Sequence, residues 1–231
     1  MLAYRYPLIA REGWPWIALV AAAALLAQWL FAWFALPLWL LLGLLLFLFR
    51  DPPRKVPASP LGVVSPVDGR VQSIGTALDP WLERQAVRIV IAKRVLDIFS
   101  VRSPMEGKVM EQWIARGKGK DAARKGNVPG GPHFAQWVQS DEGDDVVMVI
   151  SPGIGALSPR CYVHSGERIG QGQRCGFLHL GGRVEVWVPA GSRIEIEVGD
   201  TVHAASDIIA TLVHEKAAPP KVDSDRASGD H

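Results

Sequence analysis

Residues 183–198 read Arg-Val-Glu-Val-Trp-Val-Pro-Ala-Gly-Ser-Arg-Ile-Glu-Ile-Glu-Val. Apolar and polar side chains alternate on both sides of a Pro-Ala-Gly-Ser break, with Trp187 the one exception. Successive side chains of a strand point to opposite faces, so period two means strands with one apolar face. The break carries turn residues, and Ser192 falls in a hairpin turn between strands 183–188 and 193–198. Similar short apolar runs cover 70–74, 87–91, 108–114, 145–150 and 207–212. After residue 50 no segment sustains the 3.6-residue period of a helix, although Leu82–Ala86 is long enough for one helical turn. The pattern predicts a mostly β domain, a sandwich or barrel.

Two echoes point to quasi-symmetric halves. Ser65-Pro66-Val67-Asp68-Gly69-Arg70-Val71 matches Ser103-Pro104-Met105-Glu106-Gly107-Lys108-Val109. Each reads as a turn feeding a strand, with the glycine supplying a positive φ. Gly166-Glu167-Arg168-Ile169 and Gly199-Asp200-Thr201-Val202 each open a further turn into a strand. These units resemble the turn–strand halves of biotinyl/lipoyl hammerhead domains.

The N-terminal fifth is of another kind. From Trp14 to Phe49 there is no charged residue. One straight helix of that length would be ~54 Å long, against a hydrocarbon core of ~30 Å. Two helices fit better, Trp14–Phe34 and Leu38–Phe49, with Pro37 at the turn between them. The run is too long for a cleaved signal peptide and ends in Phe-Arg-Asp-Pro-Pro-Arg-Lys, so a retained anchor is expected. Arg5 and Arg11 precede it, and Arg50, Arg54 and Lys55 follow. By the positive-inside rule both flanks lie in the cytoplasm, which places the chain in the inner (cytoplasmic) membrane with its soluble domain on the cytoplasmic side. The expected organisation is a membrane hairpin over 1–49, a Pro-rich linker over 50–62, a β-rich domain over 63–215 and a tail over 216–231 that is poor in large apolar residues.

Charge and metal chemistry exclude several classes. The net charge is +2. The basic stretch Arg116, Lys118, Lys120, Arg124 and Lys125 is small and lacks interleaved aromatics, which argues against nucleic acid. Beside a membrane anchor it suits anionic phospholipid headgroups; without one it is a solvated loop. His133 and His164 have no partner at metal-ligand spacing. Cys161 and Cys175 form no Cys-x-x-Cys pattern and read as reduced, structural thiols, so no metal site is expected.

Three segments resemble the small, single-domain, archaeal-type phosphatidylserine decarboxylases. The first is Phe49-Arg50-Asp51-Pro52-Pro53-Arg54 after an apolar hairpin, followed by Val64-Ser65-Pro66-Val67-Asp68-Gly69. The second, Leu96-Asp97-Ile98-Phe99-Ser100-Val101-Arg102-Ser103-Pro104, is similar to the family's Leu-Asp-Val-His-Val-Asn-Arg-Ala-Pro. The third, Leu180-Gly181-Gly182-Arg183-Val184-Glu185-Val186, is similar to the segment ending Phe-Gly-Ser-Arg-Val-Asp-Val. The resemblance implies phospholipid metabolism and a self-cleaving proenzyme. In that family a serine Oγ attacks the carbonyl of the preceding glycine, and β-elimination cuts the resulting ester to leave a pyruvoyl group. That group is the family's cofactor, and an Asp–His pair assists the serine. Position by position, Asp68 matches the aspartate, Phe99 stands at the histidine, Gly181 precedes the cleavage point and Gly182 stands at the serine. Phenylalanine cannot take a proton and glycine has no Oγ, so the resemblance implies a member unable to form its pyruvoyl group.

Three functions remain open on the residues: a silent homologue that binds phospholipid, an active decarboxylase that makes phosphatidylethanolamine through another site, and a non-enzymatic membrane-anchored β adaptor. Ser192 follows a glycine and precedes an arginine, as a cleavage serine would, but its place in a turn argues against that role. His179 lies near the vacant position and reads as a packed or solvent-facing side chain. Oligomeric state is left open.

Overall fold

The computed structural model describes residues 9–30, 33, 35–115, 131–153, 159–179 and 181–213. Two helices come first, α1 (Trp14–Leu30) and α2 (Ala35–Leu48), packed against each other. Pro37 lies in the first turn of α2, where its missing N–H has no intrahelical partner to lose. Arg11–Leu30 is long and apolar enough to cross a membrane, and α2 is a shorter apolar helix.

The remainder is mostly β. The strands are β1 (Gly62–Val64), β2 (Gly69–Asp79), β3 (Arg84–Lys93), β4 (Ser100–Arg102), β5 (Gly107–Ala115), β6 (His133–Gln139), β7 (Asp145–Pro152), β8 (Arg160–Cys161), β9 (Arg168–Ile169), β10 (Arg174–Phe177), β11 (Gly182–Pro189), β12 (Arg193–Ile194), β13 (Thr201–Val202) and β14 (Ile208–Thr211). Eight form one antiparallel sheet in the order β13-β2-β3-β11-β7-β6-β5-β9, curled as a half-barrel. Two three-stranded sheets, β1-β14-β12 and β4-β10-β8, complete the domain.

The alternation in residues 183–188 reports the central strand. Val184, Val186 and Val188 enter the main core with Ile89, Ile91 and Met148. Glu185 and Trp187 face the other way, yet both are fully buried, so this strand is covered on both faces. Glu185 is held bidentately by Arg88 at 2.7 and 2.9 Å and meets Arg183 at 3.2 Å. Trp81 packs edge-on to Trp187, with ring centroids 5.9 Å apart. Residues 80–83 are therefore a turn laid over the outer face of the sheet. The helical turn for which Leu82–Ala86 has room does not form: Glu83 has φ 51° and β3 starts at Arg84.

Two other expectations are corrected. Residues 183–188 and 193–198 do not form a hairpin, because β12 pairs with β14. The turn holding Ser192 carries the chain from the large sheet to a small one. Strand β12 ends at Ile194, one further bond runs from Glu195 N to Ile209 O at 3.1 Å, and Asp200 Oδ2 accepts the Glu197 N–H at 2.9 Å in the next turn.

The echoes do occupy equivalent places. Ser65 Oγ donates to Val67 O and Ser103 Oγ to Met105 O, both at 2.7 Å. Val71 N donates to Asp200 O and Val109 N to Glu167 O, both at 2.9 Å. β13 pairs with the start of β2, and β9 with the start of β5. However, Gly69 and Gly107 do not have positive φ. Glycine is required there because a Cβ would strike the carbonyl oxygen of Ala92 or Gln139 across the sheet. Positive φ falls instead at Gly166 (93°) and Gly199 (104°), in the partner turns.

Candidate functional site

The site is best built outward from Lys93. It ends β3 on the face that Ile89 and Ile91 present to the core, so its position on the strand buries it. It is 4 % exposed and faces Gly182 across the β3–β11 pair. Its Nζ donates to Asp97 O at 3.0 Å and to Arg94 O at 3.4 Å, and stands 4.7 Å from the centre of the Phe99 ring. Burial pulls the amine down to a pKa of about 8 from its usual 10.5, against the opposing pull of Asp97 and Asp68. Lys93 thus links the surroundings of Asp68, Phe99 and Gly182.

Gly182 opens β11 with φ 142°, and Gly181 precedes it with φ 78°. A Cβ built on Gly182 would stand 2.6 Å from Ser151 O and 3.2 Å from both Gly153 N and Leu178 Cδ2. Backbone in this region belongs almost wholly to glycine. Position 182 thus has no Oγ, and a serine, the residue from which the resemblance builds a pyruvoyl group, would be strained and crowded on this backbone.

Phe99 is 3 % exposed and has a packing role. Its ring meets Phe49 and Phe177 edge-on, both at 5.7 Å, and Phe49 stacks on Phe177 at 6.0 Å. Ala10, Ile17, Leu45 and Leu48 join this cluster, which joins the helical hairpin to the β domain. His179 packs on Phe177 at 4.6 Å and on Phe99 at 5.8 Å.

A buried ionic group sits at the same junction. Asp51 Oδ1 accepts from Arg102 Nη2 at 2.9 Å and from Ser100 Oγ at 3.0 Å. Arg174 reaches Glu12 at 2.7 Å and Asp51 at 3.8 Å. Close by, both oxygens of the Asp68 carboxylate are engaged, one by Arg54 at 2.6 Å and the other by the Ala204 N–H at 2.7 Å. A cleft of about 270 Å³ opens beside Asp68, lined by Arg50, Arg54, Arg94, Asp97 and His203 among others.

The other candidates lie elsewhere. Ser192 donates its N–H to Pro189 O in its turn, far along β11 from Gly182. His133 Nδ1 lies 2.8 Å from Gly131 O, and His164 faces Glu167. Cys175 is buried and Cys161 partly so, and burial raises both thiols. Arg116, Lys118, Lys120, Arg124 and Lys125 lie outside the described residues. Sequence reasoning missed Lys93, although a lysine ending Val-Arg-Ile-Val-Ile-Ala, in step with Ile89 and Ile91, was a usable signal.

The buried amine gives a pH-dependent prediction. At pH below 8 the folded and unfolded chains both hold the Lys93 proton, and the full penalty of burying it is present, about 3 kcal/mol. Between pH 8 and 10.5 the folded chain sheds the proton first, and the penalty fades as pH rises. Lys93→Met should therefore gain most in melting temperature over the parent below pH 8, less a constant loss from two carbonyl bonds. The difference should shift against the variant toward pH 10.5. A pH-independent difference in paired melting curves would contradict the assignment.

The comparisons with known proteins point to one family. The model of the family described as phosphatidylserine decarboxylase matches residues 41–210. The phosphatidylserine decarboxylase proenzyme of Nitrosomonas europaea is 39% identical over 208 residues, covering 90% of this chain and 96% of the relative. Those of Aromatoleum aromaticum and Burkholderia cenocepacia are 41% identical over 211 residues and 40% over 213, each covering 90% of this chain and 98% of the relative.

Proposed function

We propose a function from one premise: the chain belongs to the phosphatidylserine decarboxylase family. It is a phosphatidylserine decarboxylase-like protein of phospholipid metabolism, held at the membrane by its N-terminal hairpin with the β domain on the cytoplasmic side. It does not mature to a pyruvoyl form. It binds phospholipid at the family's site without decarboxylating it.

The observation that carries this reading is the backbone at Gly182. The resemblance puts the family's serine there, and this chain has a glycine at φ 142° against Ser151 O. Two neighbouring features fit the same reading. Phe99, at the histidine position, is a buried part of the hairpin junction and cannot act as a base. Asp68, at the aspartate position, anchors the linker through Arg54 and the 203–205 turn through Ala204 N. The cleft beside Asp68, with Arg50, Arg54 and Arg94 on its walls, offers cations to a phosphate.

The active reading is favoured by one observation, that the relatives are described as proenzymes. Carboxyl-labelled phosphatidylserine in mixed micelles decides between the two. Full-length protein should release no labelled CO2 above the blank, with the Aromatoleum aromaticum relative assayed beside it. The same protein should retain phosphatidylserine on a float-up gradient. Labelled CO2 from the unaltered chain would end the silent reading.

A further inference from the structure

The turn after β3 has an unusual tip. Tight turns are normally built from Gly, Pro, Asn, Asp or Ser, and their tips are polar. Residues 94–97 read Arg-Val-Leu-Asp, and Val95 and Leu96 are 53 % and 58 % exposed. The turn is well braced. Arg94 N donates to Asp97 Oδ2 at 2.9 Å, Asp97 N to Arg94 O at 3.3 Å, and Lys93 Nζ to Asp97 O at 3.0 Å. A braced turn that holds two aliphatic side chains out to solvent gains nothing in the isolated fold, and exposed apolar groups of this kind mark a contact surface.

Its location says what the contact is. The turn and the exit of α2 line the same cleft, through Arg94 and Asp97 and through Arg50 and Pro52. Phe49, the residue after α2, lies against Phe99, two residues beyond the turn. Arg50 stands 3.9 Å over the Phe47 ring, at the apolar-to-charged step where a helix leaves a bilayer. Arg94, which lines the same cleft as Arg50, is largely exposed. Two exposed aliphatic side chains beside Arg94, near the exit of an apolar hairpin that ends in Arg50, match the boundary between acyl chains and anionic headgroups.

We propose that the Arg94–Asp97 turn is a second membrane contact, with Val95 and Leu96 dipping into the acyl boundary and Arg94 and Arg50 meeting headgroup phosphates. The inference rests on the anchored reading of the hairpin. It adds that the mouth of the Asp68 cleft is pressed onto the bilayer from both sides, so that its ligand enters from the membrane plane.

The test uses full-length protein in vesicles of phosphatidylcholine with and without phosphatidylglycerol, in a Cys161→Ser background, since Cys175 is buried. An environment-sensitive fluorophore is placed at Leu96→Cys, at Ala22→Cys in α1, and at Glu142→Cys in the turn between β6 and β7. That turn lies at the far end of β7 from Pro152 and Gly182. Labels at 22 and 96 should emit to the blue and be quenched by spin-labelled lipids severalfold more than the label at 142, the label at 96 by a spin label high on the acyl chain and the label at 22 by one deep in it. Adding Arg94→Glu should lower quenching at 96 in the anionic vesicles and leave 22 unchanged. Quenching at 22 but not at 96 would overturn the second contact alone, whereas absence of both would overturn the anchor. A blue-shifted label at 96 that lipid probes do not quench would mean a protein covers the turn, and would also overturn the proposal.

Discussion

Gly182→Ser should destabilise the protein and still leave its chain uncut. The serine must adopt φ 142°, a region costing of order 1–3 kcal/mol for a residue with a Cβ. Its Cβ must also displace the Ser151 carbonyl, 2.6 Å away, which adds about 1–3 kcal/mol of overpacking. That carbonyl cannot yield cheaply, because Ser151 is paired to Arg183 in the centre of the sheet. For a chain of this size the sum corresponds to a fall of roughly 4–24 °C in melting temperature. Gly191→Ser is the matched control. A Cβ there meets nothing within 4 Å and φ is not positive, so it should melt like the parent. A Gly182→Ser protein that melts normally and cleaves itself would show that the site is intact and only its serine missing.

Asp51→Asn should be comparably damaging, for a different reason. Asp51 is 2 % exposed and is the shared anion of Arg102 and Arg174, both buried. Neutralising it leaves two guanidinium groups with Glu12 as the remaining carboxylate of the group. Removing one partner of a buried pair typically costs 3–5 kcal/mol, because the other charge stays buried uncompensated. Roughly 6–20 °C should be lost in melting temperature. Because this group and the Phe49–Phe99–Phe177 cluster together hold the hairpin on the β domain, the linker over 50–62 should also become cleavable by trypsin at Arg54 and Lys55. Asp141→Asn, which breaks the exposed pair with Arg168, should leave both readouts unchanged. Normal melting and a protected linker in Asp51→Asn would show that the junction does not depend on this group.

Much of the β architecture was legible because period-two alternation reports burial on one face. The Val184, Val186 and Val188 register follows from it, while the equivalence of the Ser65 and Ser103 turns follows from the repeated Ser-Pro segment. Strand β6 was passed over for the complementary reason. His133–Gln139 is buried almost throughout, so it shows no alternation. The turn over 80–83 was hidden because its purpose, covering Trp187, arises only when the sheet has formed.

The candidate site was legible only through resemblance, which points to Asp68, Phe99 and Gly182 one position at a time. Lys93 became visible once β3 was paired with β11, since spatial proximity across a sheet leaves no mark in sequence spacing. The packing role of Phe99 was equally hidden, because its partners Phe49 and Phe177 are remote in the chain. Gly69 and Gly182 show the same limit. A glycine in a sequence does not say whether it meets a close backbone approach, as at 69, or a positive φ, as at 182.

The central claim is that this chain never generates a pyruvoyl end. Intact mass of purified full-length protein, before and after borohydride reduction with ammonium, tests it most directly. One species at 25.2 kDa, unchanged by reduction, is the expected result. Two fragments meeting between Gly181 and Gly182, or at Ser192, with the C-terminal one gaining mass on reductive amination, would contradict it.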